Sequence, residues 1–555
     1  MRPLPQGCKP HTMPLREIST KPYPDQKFGT AGLRKKVAVF QQPHYLENLL
    51  QAIFDCVPEL KGKALVIGGD GRYHNRAAIQ TAIAMAAANG VARVIVGQGG
   101  IVSTPAVSHL IRLHAAAGGL VFSASHNPAG PDGDFGVKFN IANGGQAGET
   151  TTDRIFARTR EIAVYRIRDG AKIDLDRRGV LRFDDCEVEV IDGVADYAAL
   201  MQKLFDFERM RDWIKRGGRL CFDAMHAVTG PYAQRILVEQ LGAPATSLLN
   251  TTPLEDFGGG HPDPNLIYAK HLLELSNTAT APALLAASDG DGDRNMILGA
   301  GVFLSPGDSL AMLAAHLHKL PGYKRGIVGI ARSMPTCRAA DVVAAHLGVP
   351  CYETPTGWKF FCNLLDADRI TLCGEESFGT GSTHVREKDG LWAVLAWLNI
   401  LAVTGQSLRE LATAHWRQHG RHYYQRHDYD ELPAEKAASV LEGLKAQFAA
   451  LPGTTLGEWT VTAADEFAYD DPIDGSRATA QGLRVVFGDA ARLIVRLSGT
   501  GTKGATLRLY FERYEQAADK LDLSTREALS PLVSVSDKLL RVTELTGRKA
   551  PDVVT

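Results

Sequence analysis

Residues 64–96 read ALVIGGDGRYHNRAAIQTAIAMAAANGVARVIV, and the fold class follows from their order. Ala64–Ile67 is a short apolar run fit for a strand, and Gly68-Gly69-Asp70-Gly71 turns the chain. Asn75–Asn89 is rich in alanine, the best helix former, and Gly90 supplies a residue suited to closing that helix. Arg93–Val96 then returns as a second apolar strand. Strand, helix and strand in this order imply a parallel sheet covered by helices.

The order recurs twice. Leu220–Asp223, a helix start at Gly230-Pro231, Gly242 and a following strand repeat it. So do Gly326–Ile330, a helix start at Pro335, Gly348 and a strand around Tyr352. A threefold recurrence implies three related domains, alike in pattern but not in residue identity. Toward the C-terminus the pattern changes. Gly482–Phe487, Arg492–Leu497 and Thr506–Phe511 alternate or run apolar between tight turns, which predicts antiparallel strands in a separate α+β domain. The expected architecture is therefore α/β, with three related domains of mixed or parallel sheets and a distinct C-terminal α+β domain. The divisions fall at 1–197, 198–304, 305–420 and 421–555.

Bulk properties narrow the function. At 45% hydrophobic and 22% charged the chain has ample material for buried cores. A formal net charge of −1 creates no global field toward nucleic acid or an acidic membrane surface, so any anionic ligand must be held by local clusters. Eight scattered cysteines without a CxxC pair predict reduced thiols, no zinc site and a cytoplasmic setting. Met1–Pro24 lacks the apolar stretch of a signal peptide, and Leu391–Val403 is too short to span a bilayer and reads as a buried helix.

Four segments carry chemistry. Asp289-Gly290-Asp291-Gly292-Asp293-Arg294 follows the apolar run Leu284–Ala287 and turns three carboxylates toward one point. Uncompensated carboxylates ~4–5 Å apart repel by about 3–4 kcal/mol per pair at an effective dielectric near 20, so the segment reads as an Mg²⁺ or Ca²⁺ site. An EF-hand is excluded because Arg294 and Ala300 stand where its Gly and Glu belong. Ser123-Ala124-Ser125-His126-Asn127-Pro128 ends the strand Gly119–Phe122, where sites of open α/β sheets lie. A serine needs help to act as a nucleophile; His126 and Lys138 are the neighbouring proton-transferring candidates. Arg496-Leu497-Ser498-Gly499-Thr500-Gly501-Thr502-Lys503-Gly504 offers backbone N–H groups, hydroxyls and cations between two strands, a phosphate cradle without the Walker A pattern. In Gly374-Glu375-Glu376-Ser377-Phe378-Gly379 the carboxylates and serine suit sugar hydroxyls, and Lys388 suits a phosphate. No dinucleotide fingerprint or G-x-S-x-G elbow is present.

Together with Gly29-Thr30-Ala31-Gly32-Leu33-Arg34, Pro355-Thr356-Gly357-Trp358-Lys359 and Arg386–Gly390, these segments resemble the phosphoglucomutase family, in the long form of animal glucose-specific enzymes. Seven matches occur in the family's order between residues 29 and 510. The resemblance implies a heart-shaped phosphohexomutase of four domains, each giving one loop to a central cleft. It implies interconversion of glucose 1-phosphate and glucose 6-phosphate through glucose 1,6-bisphosphate, in the cytoplasm, by a monomer or weak homodimer acting on small sugar phosphates. Ser125 matches the phosphoserine, and Asp289, Asp291 and Asp293 match the Mg²⁺ ligands, with Ser125 contributing a phosphoserine oxygen. Arg34 and Arg294 match arginines near the reacting phosphoryl group, and His126 and Lys138 match proton carriers. Thr30, Thr356, Gly357, Glu375, Ser377 and Lys388 match substrate-binding positions, and Arg496, Ser498, Gly499, Thr500 and Arg508 match the non-transferring phosphate site. Ser123 for a usual threonine, Ala31 for a usual serine and Thr383 for a common aspartate are the departures. Two alternatives stay open: another sugar preference, mannose or N-acetylglucosamine phosphate, where Phe378-Gly379 in place of a Gly-His pair argues against the mannose form, and a non-catalytic structural member of the family.

Overall fold

The computed structural model describes residues 14–29, 31–498 and 504–555. In the first domain one sheet runs in the order Leu33–Lys36, Asp134–Ile141, Gly118–Phe122, Ala64–Gly69, Arg93–Gly97, Cys186–Ile191 and Gly179–Phe183. The four strands from Gly118–Phe122 to Cys186–Ile191 are parallel, and antiparallel strands flank them on both sides. The alanine-rich helix spans Asn75–Ala88, and Gly90 follows at φ +81°.

The second and third domains repeat the centre of this sheet. Leu220–Asp223 lies between Leu248–Leu249 and Leu284–Ser288, parallel to both, and Asn295–Gly299 returns antiparallel. Ile330–Ser333 lies between Cys351–Thr354 and Leu372–Gly374, parallel to both, and Thr380–Ser382 returns antiparallel. All three sheets are mixed, in keeping with the expected mixed or parallel sheets. Two elements of the third domain lie further along than their sequence suggests. The strand sought at 326–330 starts at Ile330, because Gly326 turns at φ +81° and leaves Val328 exposed. The helix sought from Pro335 is Ala339–Leu347, since residues 333–336 close a turn between Ser333 and Thr336.

In all three units the third and fourth strands are joined by a return at the carboxyl end of the parallel strands, over residues 123–133, 289–294 and 375–379. That is the edge where open α/β sheets place their sites. Three of the sequence-predicted loops therefore occupy one structural position repeated three times.

The helix Gly390–Thr404 holds the domains together. It is buried from Gly390 to Ala402 and shares one continuous apolar cluster with Val66 and Ile95 of the first domain and Leu220 and Phe222 of the second. Its two fully buried tryptophans satisfy their indole N–H groups, Trp392 on the Tyr323 hydroxyl and Trp397 on the Ser309 hydroxyl, both at 2.9 Å. Each buried leucine or isoleucine along it contributes about 1.5–3 kcal/mol. No single helix among the described residues is long and apolar enough to cross a membrane.

The C-terminal domain is a six-stranded antiparallel sheet ordered Ala463–Glu466, Leu483–Phe487, Ala491–Ser498, Ala505–Glu515, Arg421–Leu432 and Val553–Val554. Alternation explains its two faces. Leu493, Val495, Leu507, Leu509 and Phe511 pack with residues of the helices Ala434–Lys445 and Thr525–Leu540. Ile494 and Tyr510 turn the other way and pack with Met334 and Phe360 of the third domain.

Candidate active site

Ser125 sits in the first of the three returns, buried, at φ +53°. Non-glycine residues enter this left-handed region at a cost of about 1–3 kcal/mol and stay there only when the surroundings hold them. The Ser125 hydroxyl donates to Asp289 Oδ2 at 3.0 Å, across the gap to the second domain, and lies 3.3 Å from His126 Nδ1. Burial pushes the His126 imidazole well below its ordinary value, and the cations of Arg294 and Arg34 add to the effect, with Arg508 of the C-terminal domain also felt. Positive charge from arginines of three domains is thus felt at this imidazole, which suits an anion.

Asp289, Asp291 and Asp293 are all buried, and each offers an oxygen within 4.8 Å of the others. Asp289 Oδ1 accepts from the backbone N–H groups of Asp293 and Arg294 at 2.9 and 3.0 Å. Asp291 Oδ2 accepts from the Thr104 hydroxyl and from Lys138. Lys138 also lies 3.7 Å from Asp293, and Lys388 reaches Asp293 at 3.3 Å. Burial, Asp293 and Asp291 together push the Asp289 carboxyl well above its usual range. Burial works against the charges of Lys138 and Asp291 too, but each outweighs it for the other: Lys138 is held above its ordinary value and Asp291 below. Asp291 Oδ1 and Asp293 Oδ1 are buried with no hydrogen-bond partner among the described residues. Orphaned carboxylate oxygens in a crowded oxygen-only group fit a hard divalent cation.

The third return places Glu375 beside Lys388, 3.8 Å away, and accepts the Gly357 N–H on Glu375 Oε1 at 3.0 Å. Burial raises the Glu375 carboxyl. Ser377 donates to Glu375 Oε2 at 3.4 Å, and the Thr356 hydroxyl is buried without a hydrogen-bond partner among the described residues. These groups form one polar wall, continuous with the aspartates through Lys388.

In the C-terminal sheet Arg496 and Arg508 stand directly opposite each other on adjacent strands. Like charges in that position repel. Asp428, 3.5 Å from Arg508 Nε, offsets only part of the charge, because it also pairs with Arg426 at 2.9 Å. Arg496 donates to the Gln481 carbonyl at 3.1 Å, and the nearby Tyr510 and Glu376 help to hold its charge above the ordinary value against burial. A surplus of guanidinium on one face suits a dianionic phosphate.

Of the residues singled out from sequence, Ser125, His126, Lys138, Arg294, the three aspartates, Glu375, Ser377 and Lys388 are linked by hydrogen bonds and ion pairs, and the charges of Arg34 and Arg508 are felt at His126. Arg34 has no ion-pair partner among the described residues: burial lowers it, and Asp291 and Asp293 compensate only in part. Arg294 pairs with Asp263 at 3.0 Å, and its Nε is 3.9 Å from Asp289. Thr30, Gly499 and Thr500 lie outside the described residues. Sequence reasoning passed over Asp70, Arg72, Thr104, Asp263 and Arg426, all of which support these groups. Only Asp70 had stood in a quoted motif, and there it read as part of a turn.

Profiles described as phosphoglucomutase/phosphomannomutase alpha/beta/alpha domains I, II and III match residues 25–166, 195–301 and 306–419, and a phosphoglucomutase-1 C-terminal domain profile matches 421–552. The phosphoglucomutase of Rhizobium radiobacter is 56% identical over 98% of this chain and 100% of its own length. Phosphoglucomutase-1 of Oryctolagus cuniculus is 49% identical over 97% of this chain and 99% of its own. The open form of pp63/parafusin from Paramecium, a phosphoglucomutase, superposes with a TM-score of 0.91 at 47% identity, covering 98% of this chain and 100% of that one. The chain belongs to the phosphoglucomutase/phosphomannomutase family.

Proposed function

We propose that the protein interconverts α-D-glucose 1-phosphate and glucose 6-phosphate, with Ser125 as the phosphoryl carrier and glucose 1,6-bisphosphate as the intermediate. The observation that carries the reading is the Ser125 hydroxyl 3.0 Å from Asp289 and 3.3 Å from His126, an imidazole at which the charges of Arg294, Arg34 and Arg508 are felt.

Phosphoserine holds about −1.5 to −2 charge near neutral pH, so an incoming sugar phosphate is repelled unless the site supplies cations. Asp289, Asp291, Asp293 and the Ser125 phosphate would hold Mg²⁺, which supplies charge neutralisation on the transferring group. Arg34 and Arg294 add positive charge for the same group. Glu375 and Ser377, with Thr356 and Gly357 behind them, orient the sugar hydroxyls. Arg496, Ser498, Gly499, Thr500, Arg508 and Lys388 hold the phosphate that is not being transferred. The Ser125 phosphoryl group passes to the 6-oxygen of glucose 1-phosphate, and the bisphosphate formed returns its 1-phosphoryl group to Ser125. His126, 3.3 Å from the Ser125 hydroxyl, and Lys138, bonded to Asp291, are the proton carriers that move the proton between the Ser125 and sugar oxygens as the phosphoryl group passes. One cradle must accept the sugar in two orientations, which suits donors spread over a loop and two strands. We place the protein in the cytoplasm; its seven described cysteines, all free, support that setting.

The test is a coupled assay of glucose 6-phosphate formation from glucose 1-phosphate with Mg²⁺ and trace glucose 1,6-bisphosphate, beside mannose 1-phosphate. Turnover that needs both additions and favours glucose is expected. Comparable specificity constants for the two sugars would overturn the substrate assignment.

A further inference from the structure

We propose that Arg72, anchored by Asp70, is a positioning residue that holds Ser125 in its left-handed conformation and so aims the hydroxyl at the aspartate loop; the inference rests on the reading of Ser125 as phosphoryl carrier. Arg72 is completely buried, yet it touches none of the reacting groups. Its Nε donates to both Asp70 oxygens at 3.0 and 2.8 Å. Nη1 donates to the backbone carbonyls of Asp134 and Asn127 at 2.9 and 3.4 Å, and Nη2 to that of Ser125 at 2.6 Å. The rigid guanidinium fork thus ties three carbonyls of the nucleophile loop to one point.

The amide side of Ser125 is tied to the same pair. Its N–H donates to the Ser123 hydroxyl at 2.7 Å, and that hydroxyl donates to Asp70 Oδ2 at 2.6 Å. Both sides of the strained residue therefore end on Asp70 and Arg72, one directly and one through Ser123. The second domain closes the arrangement: the Phe257 ring lies 5.2 Å from the Arg72 guanidinium, and Gly290 leaves no room for a Cβ beside the Ser125 carbonyl. With either tie removed, Ser125 relaxes toward the extended region and its Oγ leaves Asp289. Because the Arg72 charge is matched by Asp70, its loss should act on turnover and not on substrate affinity.

Full-length Ser123→Ala, Ser123→Thr and Arg72→Lys would be assayed with glucose 1-phosphate, Mg²⁺ and trace glucose 1,6-bisphosphate, beside Ser125→Ala. Transfer of label from glucose 1,6-bisphosphate to the protein would be timed in parallel. Ser123→Ala and Arg72→Lys should lower kcat by about 10- to 100-fold, with KM changed less than about twofold and labelling slowed in proportion. Ser123→Thr, which keeps the hydroxyl, should recover most of the loss. A native kcat in folded Ser123→Ala and Arg72→Lys overturns the proposal. So does a loss confined to KM, or a Ser123→Thr enzyme as impaired as Ser123→Ala. Turnover surviving in Ser125→Ala would instead remove the phosphoryl-carrier reading itself, an outcome distinguishable from the others.

Discussion

A Cβ added at Gly290 would lie 2.3 Å from the carbonyl oxygen of Ser125, so Gly290→Ala must displace the nucleophile or the aspartate loop. Its kcat is expected to fall by about 100-fold while the far-ultraviolet circular dichroism stays native; an active Gly290→Ala enzyme would show that the close approach is incidental. The orphaned oxygens of Asp291 and Asp293 make a second prediction. Chelation of divalent cations should abolish turnover, and added Mg²⁺ should restore it, whereas activity persisting in excess chelator would exclude a metal role for these carboxylates. At this scale the aspartates were legible from their own identities and spacing, whereas Ser125 was singled out through the family resemblance. Arg72 and Asp70 were not, because their meaning lies in partners such as the Ser125 carbonyl and the Ser123 hydroxyl, 53 residues away.

The helix Leu408–His419 begins with a capping box, in which the Ser407 hydroxyl and the Glu410 carboxylate satisfy each other's backbone N–H groups. Its buried face carries His415, whose ring burial pushes down to about 3, with His419 and His316 adding. In the unfolded chain that imidazole titrates near its ordinary value of 6.5. Between the two values the unfolded state binds more protons than the folded one. The contribution is therefore present above the ordinary value and is lost as the pH falls toward 3. His415→Gln should accordingly lose less melting temperature between about pH 7 and about pH 5 than the native chain; an equal loss would mean that His415 is not the acid-sensitive group. Elements were legible in the sequence where periodicity was strong. The alternation over residues 483–511 gave antiparallel strands, and the apolar run around Trp392 and Trp397 gave a buried helix. Ile327 and Val328 misled because apolar character does not separate a strand from a loop that follows a turning glycine.

Across the whole molecule, two glutamates fasten the C-terminal domain to the third. Glu353 accepts from Arg332, Arg484 and Arg492, at 2.8, 2.8 and 3.1 Å. Glu512 accepts from Arg492 at 2.7 Å, pairs with His422 at 2.8 Å and receives the Arg338 N–H at 2.8 Å. Both Arg492 and Glu512 are buried. Glu512→Gln would leave that guanidinium with Glu353 as its one remaining carboxylate among the described residues, at an expected loss of about 2–3 kcal/mol on urea denaturation. A loss within the range of an exposed ion pair, below about 1 kcal/mol, would contradict the clamp. The number of domains and the threefold repeat could be read from the order of elements. The clamp could not, because its arginines and glutamates come from strands in different domains and carry no local pattern. The same holds for the cleft: each loop was legible singly, but their meeting at Ser125 depends on the mixed sheets placing three returns at equivalent edges.

The most direct test of the account is to incubate the full-length protein with Mg²⁺ and glucose 1,6-bisphosphate labelled in its phosphates and to map the labelled peptide by mass spectrometry. The account predicts label on Ser125 alone, chased off by unlabelled glucose 1-phosphate at the rate of turnover. Label on another residue, or turnover without any phosphoprotein, would contradict it.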